Sequence, residues 1–330
     1  MDPLYLILAI VILGLLFDYT NGFHDSANVV STVIATKTLK PVVAITIAAC
    51  LNAIGATQTS RVAQTITNGL IDPMESSQLL ILSALVGAIV WNFVTARLGI
   101  PSSSSYALIG GLIGVALFHK GPHIIIWKGV VMKVIIPMVA SPFIGFFIAY
   151  TFMKLLYRTI PKKNQSSKIF RYMQIGSSSL VALSHGFNDA QKSMAIITLG
   201  LFASKAIPTT AIPLWVILSC ALMMGLGTSW GGYRIIQTVG FKITPLATLQ
   251  GFAAETSASI VILTAGFLGM PISSTHMIVG SVTGVGIAKR FKDVQWVIAD
   301  KLIMAWILTM PAAGLIAAIA YKIGLLLYRM

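Results

Sequence analysis

The sequence predicts an all-α polytopic membrane protein built of two inverted-topology repeats, each with a broken helix and a re-entrant helical hairpin. Three observations carry this expectation. Hydrophobic residues make up 56% of the 330 and charged residues 10%, and mean hydropathy is +0.88, a balance suited to membrane spans and not to a soluble domain. Acidic and serine-rich phrases interrupt the apolar stretches. Those phrases occur twice, in the same order.

Leu4 to Phe17 is apolar, follows Asp2 where a signal peptide would carry basic residues, and is not followed by a small-residue cleavage site. It reads as a retained membrane helix. The apolar run over 4–36 is interrupted by Asp18-Tyr19-Thr20-Asn21-Gly22-Phe23-His24-Asp25, which predicts a helix broken at mid-depth. Unwound backbone is tolerated there only against protein or a cavity. A second helix is expected over 41–57, then a polar stretch from Gln58 to Glu75. Leu79 to Phe118 is interrupted only by Gly99-Ile100-Pro101-Ser102-Ser103-Ser104-Ser105. Its arms read as short for a full crossing and its tip is too polar for lipid, so a re-entrant hairpin is expected. Ile124 to Tyr157 is apolar and holds Pro137 and Pro142, which predict a kinked or split helix.

Lys154, Arg158, Lys162, Lys163, Lys168 and Arg171 follow with no acidic residue among them, and the positive-inside rule places this linker in the cytoplasm. The order then returns: 174–204 broken at the second motif, 211–228, a hairpin from Gly251 to Ala288 tipped by Gly269-Met270-Pro271-Ile272-Ser273-Ser274-Thr275, and a last stretch from Trp296 to Tyr328. The division expected is 1–157 for the first repeat, 158–173 for the linker and 174–330 for the second repeat. Three passes per half would invert the second copy and leave both termini extracellular. Gly22, Phe23 and Asp25 match Gly186, Phe187 and Asp189 at one constant offset. Pro101, Ser103, Ser104, Gly110 and Gly114 match Pro271, Ser273, Ser274, Gly280 and Gly284 at another, and Arg61-Val62-Ala63-Gln64-Thr65 echoes Arg234-Ile235-Ile236-Gln237-Thr238.

The net charge of +14 does not indicate nucleic acid, because the basic residues are scattered over loops without interleaved aromatics. Cys50 and Cys220 lie in apolar helices and are expected to be small buried residues, with no disulfide framework or metal spacing.

Asp at the centre of a membrane helix costs about 2.5 to 3.5 kcal/mol on translocon scales, so Asp25 and Asp189 are expected to face a partner, an ion or a water-filled path. Each hairpin tip sets Pro and hydroxyls at a helix start, where backbone N–H groups and the positive dipole end favour an anion. Two tips meeting at mid-membrane could surround a tetrahedral oxyanion with Ser104, Ser105, Ser274 and Thr275; for a single tip, simple helix capping is the competing explanation. The carboxylates repel such an anion unless a cation or proton intervenes. Asp and Asn side chains, hydroxyls and carbonyls are hard oxygen ligands suited to Na⁺, and a protonated Asp could instead donate to the anion. Either way anion affinity depends on the bound cation.

Glu255 lies in an apolar run and has Leu85, not an acid, at its repeat position. It reads as a cation or gating residue, or as a structural partner of Arg234 or Lys192. Asn52, Arg61 and Arg234 are expected to be structural polar residues between helices, and Lys192 either attracts the anion or pairs with a nearby carboxylate. His276 beside Ser274, with Asp189 and His185, raises an intramembrane hydrolase, which the absence of a nucleophile elbow disfavours. The Gly110/Gly114 and Gly280/Gly284 pairs suit close helix packing.

The phrases Asn21-Gly22-Phe23-His24-Asp25-Ser26-Ala27-Asn28, His185-Gly186-Phe187-Asn188-Asp189-Ala190-Gln191-Lys192, Arg234-Ile235-Ile236-Gln237-Thr238 and Pro271-Ile272-Ser273-Ser274-Thr275-His276 strongly resemble the inorganic phosphate transporter (PiT) family, bacterial branch, over nearly the whole chain. The resemblance implies a cation-coupled phosphate symporter, no enzyme, and a homodimer; Asn and Asp beside unwound backbone suit a metal cation, so Na⁺ is the expected coupling ion, with no other cofactor, in a plasma-membrane importer. It implies phosphate binding by Asp25, Ser104, Ser105, Asn188, Gln191, Ser274 and Thr275, and cation binding by Asp25, Asn28, Asn188, Asp189 and Glu255, with Na⁺ at Asp25 and Asp189. The family phrase Gly-x-Asn-Asp-x-x-Asn is met only in parts: His24 replaces its first Asn in one copy and Lys192 its last in the other. A proton-coupled phosphate or sulfate permease and an anion channel are the alternatives.

Overall fold

A computed structural model describes residues 3–165 and 167–329; Asp2, used above as a flank, lies outside the described residues. Among the described residues there are thirteen α-helices and no strand beyond one isolated bridge, Ile71 with Ile125; the long apolar helices follow the predicted order, and the expected polar stretch 58–75 contains a helix of its own. In the first half these are α1 (Pro3–Ala35), α2 (Pro41–Ala56), α3 (Arg61–Gly69), α4 (Gln78–Leu98), α5 (Ser104–His119), α6 (Trp127–Val130) and α7 (Ile136–Thr159). In the second they are α8 (Lys168–Ala203), α9 (Leu214–Trp230), α10 (Tyr233–Gln237), α11 (Thr248–Phe267), α12 (Ser274–Lys289) and α13 (Trp296–Arg329). Helix therefore enters the expected linker 158–173 from both ends.

Local chemistry sets the same stops in both halves. The arms α4 and α11 end at Gly99 and Gly269, whose φ values of 67° and 68° are the left-handed conformation that favours glycine. The next arms start on N-cap serines: Ser103 Oγ accepts from Tyr106 N, and Ser273 Oγ accepts from His276 N. One π-helical turn over Val131–Ile135 joins α6 to α7 just before Pro137, which has no N–H to give to a regular ladder.

The break falls elsewhere than the motifs suggested. α1 and α8 run unbroken through them for 33 and 36 residues, while each half bends by 63° in its second helix, between α2 and α3 and between α9 and α10. The sequence signal was polar side chains, and polar side chains buried against protein leave a helix intact. A second correction concerns α4: at 21 residues it is long and apolar enough to cross a membrane by itself, unlike the short arm expected. Leu4–Ala35, Trp127–Thr159 and Trp296–Leu327 also qualify, and the two bent pairs raise the total to six. Cys220 is buried as expected, but Cys50 is exposed.

α1 and α8 pair antiparallel along their lengths. Ile10 meets Gly200, Gly14 meets Ile197, Asp18 meets Ser193 and Val29 meets Ser178, so residue numbers rise on one helix as they fall on the other. Around this pair the halves exchange helices. α5 packs on α13 and α12 on α7, with glycine at each close approach: a Cβ on Gly110 would lie 2.5 Å from Met310 O, and one on Gly280 2.3 Å from Pro142 O. Two apolar cores result, one around α3, α4, α5 and α9, the other around α11 and α12. Large apolar side chains such as Leu8, Ile12, Phe143, Phe147, Ile319 and Ile323 remain exposed on the outside, a surface matched to lipid.

Candidate functional site

Where α1 and α8 cross, the two hairpin tips reach them from opposite halves. Asp25 sits on α1 at 1% exposure and Asp189 on α8 at 0%, so neither faces lipid. Asp25 Oδ2 accepts from Ser104 Oγ at 2.8 Å, and that hydroxyl shares its proton with Asn21 Oδ1 at 2.5 Å. Asp25 Oδ1 lies 2.9 Å from His24 Nδ1 and accepts from Thr275 Oγ1 at 3.3 Å. Thr275 Oγ1 also lies 3.1 Å from the Ser102 carbonyl and accepts from Asn28 Nδ2 at 2.8 Å. The tips therefore touch each other directly, Thr275 of the second on Ser102 of the first.

Asp189 is held differently. Its Oδ2 accepts from Ser274 Oγ at 2.8 Å, and its Oδ1 takes the Lys192 ammonium at 2.5 Å. The ammonium also donates to Ser105 Oγ and, at 3.2 Å, to the Ile272 carbonyl. Of the two roles the sequence allowed Lys192, the structure selects the carboxylate pair.

His185 stands between the acids, with Nε2 3.3 Å from Asp189 Oδ2 and 3.9 Å from Asp25 Oδ2. Its Nδ1 faces Asn52 Oδ1 at 3.1 Å, and Asn52 Nδ2 donates to Thr228 Oγ1 at 2.8 Å, which fixes the amide and makes Nδ1 the donor. A neutral ring would then turn a lone pair toward two carboxylates. A proton on Nε2, or a cation between the three groups, converts that repulsion to attraction. Ligand atoms of Asp25, His185 and Asp189 lie within 4.8 Å of one another, close enough to share one ion.

Glu255, on α11, forms a separate cluster against Thr32 of α1, a residue about 10 Å along that helix from Asp25 at 1.5 Å per residue. It accepts from Thr32 Oγ1 at 2.5 Å, from Gln174 Nε2 at 3.2 Å and from Ser177 Oγ. All three donors are neutral. Neither Arg234 nor Lys192 is among them: Arg234 donates to the Arg97 carbonyl at 2.5 Å. Arg61 donates to the Phe267 carbonyl at 2.8 Å. Each arginine thus braces the end of the other half's first hairpin arm, a structural role of the kind expected.

Asp25, Asn28, Asp189, Ser104, Ser105, Ser274 and Thr275 are thus gathered as the sequence suggested. Asn188 lies at the margin, donating to the Met270 carbonyl at 3.2 Å with its Oδ1 buried and unpartnered. Gln191 is turned away: its Oε1 accepts from Val62 N at 2.8 Å and Ala63 N at 3.1 Å. The first-turn N–H groups of α3 need an acceptor, and the break after α2 brings them to this side chain. His276 packs against Trp306 and Tyr106, with both ring nitrogens unpartnered, and offers Ser274 no base. Asn21, His24, Ser102 and Thr95, whose hydroxyl lies 3.1 Å from His24 Nε2, belong to the site without having been singled out. A usable signal was there for His24, which adjoins Asp25 inside the repeated phrase; Thr95 carried none.

A helical membrane fold that seals two acids, two imidazoles and two serine-capped tips at its centre is the architecture of a membrane transport protein. The phosphate transporter family profile matches residues 21–168 and again 157–317. The chain belongs to that family. It is similar to the "Probable low-affinity inorganic phosphate transporter" of Mycobacterium tuberculosis, 45% identical over 322 residues, covering 96% of this chain and 77% of the relative. The same description is given to a Bacillus subtilis protein, 42% identical over 327 residues and 97% of each chain. Its fold matches a solved protein described as "The sodium-dependent phosphate transporter", with a TM-score of 0.90 at 24% identity, over 98% of this chain and 99% of that one.

Proposed function

We propose that the chain imports inorganic phosphate across the plasma membrane by Na⁺ symport. The observation that carries this is the meeting of both hairpin tips on both buried carboxylates. Ser104 and Ser274 each donate to an aspartate. A cation on the carboxylates would weaken their hold on these hydroxyls and free them for a phosphate oxygen, so the cation binds first and raises anion affinity. In this reading Asp25, Asn28 and Asp189 serve the cation, Ser104, Ser105 and Ser274 serve the phosphate, and Thr275, which touches both Asp25 and Asn28, stands where both ions can use its hydroxyl, with Asn188 at the edge. Gln191 is left to cap α3. Glu255, with neutral donors only, is an additional cation or gating site. The sodium dependence stated for the structural neighbour supports the choice of ion. The antiparallel run of α1 and α8 supports inverted repeats, with the basic linker cytoplasmic and both termini outside; the homodimer rests on the family resemblance.

Uptake of labelled phosphate into proteoliposomes tests this. Accumulation should follow an imposed inward Na⁺ gradient, and arsenate should compete better than sulfate. Uptake that ignores Na⁺ and follows a pH gradient would establish proton coupling instead, the second reading, favoured by His24 and His185 standing on the carboxylates. Passive, non-saturating flux would make the protein a channel.

A further inference from the structure

The oxygens around the two acids correspond through the duplication, and where Lys192 meets them in the second half the first half has Asn28. In the second half the Lys192 ammonium lies among three oxygens: Asp189 Oδ1, Ser105 Oγ and the Ile272 carbonyl. The offsets of the repeat map these onto Asp25 Oδ1, Thr275 Oγ1 and the Ser102 carbonyl. Those three oxygens also converge in the first half, Thr275 Oγ1 lying 3.3 Å from the carboxylate and 3.1 Å from the carbonyl. The residue in the place of Lys192 is Asn28, whose Nδ2 donates to Thr275 Oγ1 at 2.8 Å and whose Oδ1 is buried without a partner, so that turning the amide end for end presents the oxygen to the same cluster. A carboxylate, a hydroxyl, a carbonyl and an amide oxygen form a hard-oxygen set that suits a small cation.

We propose that Lys192 is a tethered counter-cation: its ammonium fills, in the second half, the position that a mobile Na⁺ takes in the first among Asp25, Asn28, Thr275 and the Ser102 carbonyl. The chain then carries one mobile cation fewer than a symmetrical pair of sites would. The proposal rests on the cation-coupled reading. A merely structural role explains less, because a buried ammonium must first lose its hydration and an apolar pair would pack as stably. The first half also keeps the same oxygens where no lysine needs them.

Equilibrium binding of ²²Na⁺ to the purified protein in nanodiscs, at saturating inorganic phosphate, tests it. Lys192→Asn, which copies Asn28, should bind one more Na⁺ per chain than the wild type and move one more positive charge per phosphate on a solid-supported membrane. Asn28→Lys should bind one fewer. Unchanged Na⁺ number in either folded variant overturns the proposal, and if Lys192→Asn does not fold, Asn28→Lys decides alone. Failure of Na⁺ symport shows separately, as wild-type uptake indifferent to the Na⁺ gradient. Charge per phosphate reads the tethered ammonium whichever cation is coupled.

Discussion

The first half holds its acid with groups that carry no fixed charge, the second with one that does. Asp25 is met by His24, Ser104 and Thr275, while Asp189 is met by Ser274, His185 and the ammonium of Lys192. Glu255 adds to the asymmetry, since its repeat position is Leu85. Duplication supplied a symmetrical scaffold. Divergence at a few inward-facing positions left charge unequally distributed about the centre.

The sharpest test of this contrast neutralises each acid in turn. Asp25→Asn and Asp189→Asn should both abolish concentrative phosphate uptake. Asp189→Asn should also destabilise the fold by about 3–5 kcal/mol, because it strands a buried ammonium. Asp25→Asn strands no fixed charge and should cost less. Equal losses in thermal unfolding of the two purified variants would break the comparison.

Next in size is the packing that brings the acids together. A Cβ on Gly186 would lie 2.0 Å from the Asn52 carbonyl, and one on Gly22 2.5 Å from that of Met224. Gly186→Ala and Gly22→Ala should each cost about 1–3 kcal/mol, the former more, read from the same unfolding curves. Glu255→Gln removes an acceptor from Ser177 and should cost about 1 kcal/mol. It should also alter the Na⁺ dependence of uptake, and wild-type Na⁺ dependence in this variant would make Glu255 structural.

The smallest effect belongs to a pair that matches Lys192–Asp189 in distance but not in setting. Lys120 Nζ lies 2.6 Å from Glu75 Oε2 on the surface. The hydrogen bond from Lys120 holds the Glu75 carboxyl below its ordinary value of 4.5. A lowered value means the pair stabilises the fold above that ordinary value and loses its contribution as pH falls through the folded one. Glu75→Gln should leave the unfolding midpoint nearly unchanged at neutral pH and low salt, since water screens the pair.

Much of this was legible beforehand. The serine N-caps and the glycines ending α4 and α11 announced both hairpins, and the repeated Gly-Phe-x-Asp phrase announced the centre. Gln191 shows where reading along the chain fails: it stands in the repeated phrase beside Asp189 and Lys192, yet it serves α3. The unbroken α1 shows the same. Its motif looked like a break because its polar groups had no visible partners, and those partners come from residues distant in sequence, Ser104 and Thr275.

The sequence by itself determined the helices, their order, their duplication and the membrane as solvent, because periodicity, caps and apolar length act within a few residues of one another. Only the tertiary structure decided which oxygens meet Asp25, that Lys192 belongs to Asp189, and that Glu255 stands apart among neutral donors. Those contacts depend on the side on which each residue leaves its helix and on how two long helices cross, and so on packing between segments far apart in the chain.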